Sequence, residues 1–117
     1  MPPIREWMTF IHTDSFDAAW QKLGLDDEDL ARLQRELVGD PGIGSVIPGT
    51  GRLRKMRFAR GGAGKSGSFR VCYASFLDHG VILLVIVYGK QQKSDITSAE
   101  KKTMARLLKE FAKQLES

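Results

Sequence analysis

From Leu53 to Phe58, and again from Phe69 to Phe76, apolar side chains alternate with a period of two, whereas nearer both ends of the chain they recur every three or four. Successive side chains of an extended strand turn to opposite faces, so these stretches are read as strands of a sheet. Met56 and Phe58 point one way while Lys55 and Arg57 point the other, and along Phe69 to Phe76 Val71 and Tyr73 lie opposite Arg70 and Cys72. Asp78-His79-Gly80 reads as a turn into Val81 to Tyr88. The seven residues Val81 to Val87 are all aliphatic. That is far short of the ~20 residues that span a bilayer. It is the pattern of a central strand buried on both faces.

Helical spacing brackets the sheet. Trp7 to Thr13 has the content of a first strand, after which Asp14 or Ser15 caps a helix that turns Phe16, Ala19, Trp20 and Leu23 inward before Gly24. Asp26 caps a second helix with Leu30, Leu33 and Leu37 on one stripe. Thr97-Ser98-Ala99-Glu100 is a capping box for a third, with Met104, Leu107, Leu108, Phe111 and Leu115 on one face. The expectation is a single α+β domain over residues 1–117, of order β-α-α-β-β-β-α. Its sheet is expected to be antiparallel, with helices packed on one face and the other left open, concave and cationic.

Charge is distributed unevenly over this frame. Residues 1–40 hold nine acids against four bases, but from Pro41 to Leu77 there is no acid and there are seven bases: Arg52, Arg54, Lys55, Arg57, Arg60, Lys65 and Arg70. Like charges gathered by folding repel one another, a cost most simply offset when the surface meets a polyanion such as nucleic acid. One cysteine, Cys72, and two distant histidines, His12 and His79, offer no metal-ligand spacing, and no cofactor is expected. The N-terminus carries no apolar signal core, which with the lone cysteine points to a reducing cytoplasm and no membrane. Gly61-Gly62-Ala63-Gly64-Lys65-Ser66 imitates a nucleotide-binding loop, but Ala59 stands where that pattern needs glycine, and a strand rather than a helix follows.

The candidate site is therefore Arg54, Lys55, Arg57, Lys65, Arg70 and Lys90, with Tyr73 and Tyr88 close by. Cutting RNA without metal requires that a 2′-hydroxyl lose its proton and attack the adjacent phosphate. The extra negative charge must then be stabilised and the leaving 5′-oxygen protonated. Arginines suit the middle task, a lysine crowded by cations suits the first, and an aromatic or guanidinium plane can hold an unstacked base. The same cations also suit a surface that only binds.

Gly44 to Gly51 (GSVIPGTG), Leu53 to Arg57 (LRKMR), Gly64 to Tyr73 (GKSGSFRVCY), Tyr88-Gly89-Lys90 and Ser94 to Thr97 (SDIT) occur in this order. Together they resemble the RelE/ParE superfamily of toxins from type II toxin-antitoxin pairs, and most closely its HigB-like branch. The resemblance spans most of the chain. It implies a cytoplasmic endoribonuclease that enters the ribosome, cuts messenger RNA and thereby inhibits translation. It also implies a cognate helix-turn-helix antitoxin as partner, through which alone operator DNA is bound. Carried over, the basic pair of the family's second strand falls on Lys55 and Arg57, and the arginine of its third on Arg70. Arg57 and Arg70 then stabilise the phosphate, Lys55 is a candidate base, and Lys65 and Lys90 are supporting phosphate contacts. The arginine and the tyrosine found after the last strand of RelE enzymes are here Gln91 and Thr97. Proton transfer is thus left to Tyr73 or Tyr88, or to lysines and histidine. The alternative within the superfamily is a ParE-type non-catalytic inhibitor of DNA gyrase.

Overall fold

The computed structural model describes residues 8–60, 68–90 and 95–116. Its elements are β1 (Thr9–His12), α1 (Asp14–Lys22), α2 (Asp27–Gly39), β2 (Ser45–Val46), β3 (Arg54–Ala59), β4 (Ser68–Phe76), β5 (Val81–Gly89) and α3 (Ser98–Glu116). The α+β class and the succession of elements are those expected, with one addition. β2, two exposed residues long, pairs with the start of β3, and nothing in its composition announces it.

The strands lie in the order β1-β5-β4-β3-β2. β2, β3, β4 and β5 pair antiparallel, but β1 runs parallel to β5, from Thr9 beside Val81 to His12 beside Leu84. The sheet is thus mixed rather than wholly antiparallel. Consecutive strands joined by short turns must reverse direction, whereas β1 reaches β5 only through the whole intervening chain and is free of that constraint.

Helices cover both faces, which corrects the one-sided expectation. Phe16, Trp20, Leu33 and Leu37 from α1 and α2 pack on Met56, Phe58, Val71, Tyr73, Ile82 and Leu84. On the opposite face Met104 and Leu108 of α3 pack on Leu53, Cys72, Ala74, Leu83 and Val85. The physical reason lies in β4 and β5, which carry apolar side chains on both faces and expose them to water unless a second layer arrives. On the α3 side of the sheet Arg57 is exposed and Lys55 and Arg70 are half-buried.

Local chemistry explains the helix starts. α1 is capped by Thr13, one residue earlier than expected: its hydroxyl accepts from the Phe16 N–H at 3.0 Å and donates to the Val85 carbonyl at 2.6 Å. A carboxylate could only accept; the threonine also ties the helix to β5. Asp26 caps α2 as expected, in a reciprocal box with Asp29.

Candidate functional site

β3 is half-buried, so its alternation decides which of its charges can act. Met56 and Phe58 enter the core under α1 and α2, and Lys55 and Arg57 face the α3 side. The ladder sets Arg57 opposite Arg70 on β4, and Arg70 opposite Tyr88 on β5. Three neighbouring strands thus present Arg57, Arg70 and Tyr88 in one row, with Lys55 in the next row opposite Cys72. Directly opposed like charges destabilise a sheet. Arg57 is nonetheless exposed and Arg70 half-buried, and among the described residues neither forms an ion pair. Among the described residues Arg70 hydrogen-bonds to the Ser68 hydroxyl at 3.4 Å and the Phe69 carbonyl at 3.5 Å. Two open guanidinium groups side by side form a fork suited to an oxyanion such as a phosphodiester.

Lys55 is held differently. Its ammonium donates to Asp95 at 3.0 Å, and the same carboxylate oxygen accepts the Ile96 N–H at 2.8 Å. The bond from Lys55 is the main reason that the Asp95 carboxyl is held below the usual carboxylate range. Asp95 was not among the sequence candidates. Its one signal is that it is the only acid between Asp78 and Glu100, and its pairing spans 40 residues, which no local pattern announces. Both groups are partly exposed, so the pair is expected to contribute at most about 1 kcal/mol. Asp95→Asn keeps an acceptor for Ile96 but removes the charge. Its urea midpoint should drop slightly at low ionic strength and match the parent at high salt, where screening has already removed the attraction.

Tyr88 lies on the same face but is only 2% exposed, with its ring in the core beneath α3. It therefore offers no open plane for stacking a base. Burial, with smaller contributions from Cys72 and Asp95, pushes its phenol up to about 12, so it stays protonated at neutral pH. Lys90 is exposed one residue past β5, at the end of the sheet where Gly89 pairs with Phe69 beside Arg70. Lys65 and Gln91 lie outside the described residues.

Two predicted members belong elsewhere. Arg54 shares the parity of Met56 and Phe58, and its guanidinium donates to the Gly44 carbonyl at 2.6 Å and the Gly42 carbonyl at 3.4 Å. Tyr73 is fully buried on that same face, where its hydroxyl donates to the Pro41 carbonyl at 2.8 Å and accepts the Gly44 N–H at 3.0 Å. Both hold the segment before β2 against β3. A Cβ on Gly44 would lie 2.8 Å from the Lys55 carbonyl oxygen, so the approach admits only glycine. Tyr73→Phe should therefore cost about 1–3 kcal/mol of stability in urea denaturation by stranding buried backbone groups.

The remaining sequence candidates also have structural places. Arg52 lies over the Phe76 ring at 4.5 Å, and Arg60 donates to the Leu23 carbonyl at 2.9 Å. His12 sits 2.8 Å from the Asp17 carboxylate and His79 lies in the turn Leu77–His79, so the two share no site. Thr97 caps α3, accepting the Glu100 N–H at 3.1 Å.

No helix among the described residues is long and apolar enough to cross a membrane. No protein-family model matches the chain. Among solved structures, the chain is similar to an arginine double mutant of the E. coli toxin RelE in the free state, with a TM-score of 0.55 and 17% sequence identity over 84% of this chain and 93% of that one. The fold is RelE-like.

Proposed function

We propose that the chain is the toxin of a type II toxin-antitoxin pair, of the HigB-like kind, and that it inhibits translation as an endoribonuclease cutting messenger RNA on the ribosome. The observation that carries this reading is the facing pair of an exposed Arg57 and a half-buried Arg70, which form no ion pair among the described residues, with Lys55 on the same side of the sheet. In this reading the two guanidinium groups grip the scissile phosphate and take up the charge that develops as the 2′-hydroxyl attacks. Lys55 is the proposed base. Bonded to Asp95 it is an ammonium with no lone pair, so it must first leave that contact and release a proton to solvent, and the neutral amine then takes the 2′-hydroxyl proton. Tyr73 and Tyr88 are both buried, so neither replaces the tyrosine missing at Thr97, and protonation of the leaving oxygen falls in this reading to a lysine. Lys65 and Lys90 serve as outer phosphate contacts.

The cellular setting that goes with this reading is the cytoplasm, where a helix-turn-helix antitoxin neutralises the chain and carries the operator-binding function. The test is incubation of the purified chain with a translated messenger in a reconstituted translation system, followed by mapping of 5′ ends. Cleavage within the decoding site is the expected result. Intact messenger together with inhibition of gyrase supercoiling would replace this reading by the ParE-type one.

A further inference from the structure

A second cationic feature lies on the α3 side of the sheet, apart from the Arg57 and Arg70 row. A pocket of about 460 Å³ opens between the turn Gly49–Thr50–Gly51–Arg52 and the flank of α3 that carries Arg106 and Lys109. Every charged residue lining it is a cation. Arg52, Arg106 and Lys109 are all exposed, and among the described residues none of them forms an ion pair. The larger pocket beside α2, by contrast, sets three arginines among three carboxylates and is balanced in charge.

Geometry prepares this pocket for an anion. Arg52 is laid on the Phe76 ring, which restrains its guanidinium before any ligand arrives. Arg106 and Lys109, three residues apart on a helix, project from one flank. Gly49 and Gly51 hold positive φ, and open space lies where their Cβ atoms would be, so the bare backbone of the turn leaves the mouth clear. Arg52 precedes Arg57 by five residues, which puts the two no more than about 18 Å apart along an extended chain. Its neighbour Leu53 packs in the α3 core, on the same side of the sheet as Lys55, Arg57 and Arg70.

We propose that this pocket is a second phosphate subsite, which takes the sugar-phosphate backbone of the RNA strand whose scissile linkage lies on Arg57 and Arg70. The proposal rests on the cleavage reading above and adds to it a stretch of bound strand that reaches beyond the cut.

The experiment measures fluorescence anisotropy of the full chain with 2′-O-methyl RNA, which lacks the attacking hydroxyl and is not cut. A dinucleotide carries one phosphodiester and fills one subsite; an octanucleotide can reach both. The double variant Arg106→Ala with Lys109→Ala is expected to leave dinucleotide binding unchanged. It should weaken the octanucleotide by about tenfold and lower its salt slope by about 1.4, two contacts at roughly 0.7 each for single strands. Both residues are exposed, and the exchange Arg106→Lys with Lys109→Arg should restore the parent slope. Equal weakening at both lengths, or no weakening of the octanucleotide, overturns the subsite. Duplex DNA that competes as well as RNA overturns the assignment to an RNA strand. Arg70→Ala is the separate control: if it weakens neither length while the α3 variant still weakens the octanucleotide, the cleavage reading falls and the phosphate pocket stands.

Discussion

Arg70→Ala is expected to lower messenger cleavage by about 10²- to 10³-fold, roughly 3–4 kcal/mol of transition-state stabilisation, while the protein stays as stable as its parent. The two halves of this expectation have different causes. Cleavage suffers because a phosphate in mid-reaction carries one more negative charge than at rest, and a guanidinium already aimed at it offsets that charge without reorganising water. Stability does not suffer because Arg70 contributes almost nothing to the fold. Among the described residues its hydrogen bonds, to Ser68 and Phe69, sit at the long end of the range, and its ladder neighbour is the like-charged Arg57. Removing it relieves repulsion between opposed cations, so a small gain in urea midpoint is as acceptable as no change. Arg70→Lys should fall between, since it keeps the charge and loses the planar fork. Arg57→Ala should resemble Arg70→Ala, and the double variant should cost much less than the sum of the two, because both act on one phosphate. Single-turnover cleavage of a translated messenger, set beside urea denaturation, separates the effects. An Arg70→Ala protein that cuts at the parental rate sinks the proposed site.

The alternation that exposes Arg57 and Arg70 could be read directly from the residues, and so could two assignments that were placed wrongly. Arg54 is an even position on a strand whose even positions are Met56 and Phe58; Tyr73 shares the parity of Val71. Strict use of the two-residue period already removes both from the cationic face. Tyr88 is the opposite case. Opposite Cys72 and Tyr73 the ladder shifts by one, so that Cys72 faces Ile86 while Tyr73 faces Leu84, and Val85 is left over on β5. One extra residue moves every later side chain to the other face. Without that bulge Tyr88 would join Ile82 and Leu84 under α1 and α2; with it, Tyr88 stands beside Arg70. An unbroken aliphatic strand offers no polar residue to mark the shift, so the sequence carries no sign of it. The same run did signal burial on both faces, from which a helix on each side follows, α3 being the element left to supply the second. The parallel seat of β1 and the bond from Lys55 to Asp95 depend on contacts across most of the chain, where neither turn chemistry nor periodicity reports.

Phe58→Ala is expected to cost about 3–5 kcal/mol of folding stability, the range for truncating a buried aromatic. Phe58 is 1% exposed, its ring lies 5.8 Å from that of Trp20, and the Arg32 guanidinium covers it at 4.4 Å. It is thus the point where β3 is clamped to both α1 and α2, and the cavity left by alanine would be shared by three elements that cannot all close on it. For a domain whose total stability is of order 5–15 kcal/mol, such a loss removes a large share, and the urea midpoint should fall steeply at unchanged slope. Phe58→Leu, which fills more of the space, should lose less. The informative comparison is with the residue next to it. Arg57→Ala should leave the midpoint in place and remove cleavage, whereas Phe58→Leu should shift the midpoint and leave most of the cleavage in the surviving folded fraction. Adjacent residues would then govern separate properties, as a strand with one face in the core and the other at the phosphate requires. Should Arg57→Ala unfold the protein as readily as Phe58→Ala does, Arg57 is part of the fold's support, and its loss of cleavage could no longer be attributed to the phosphate.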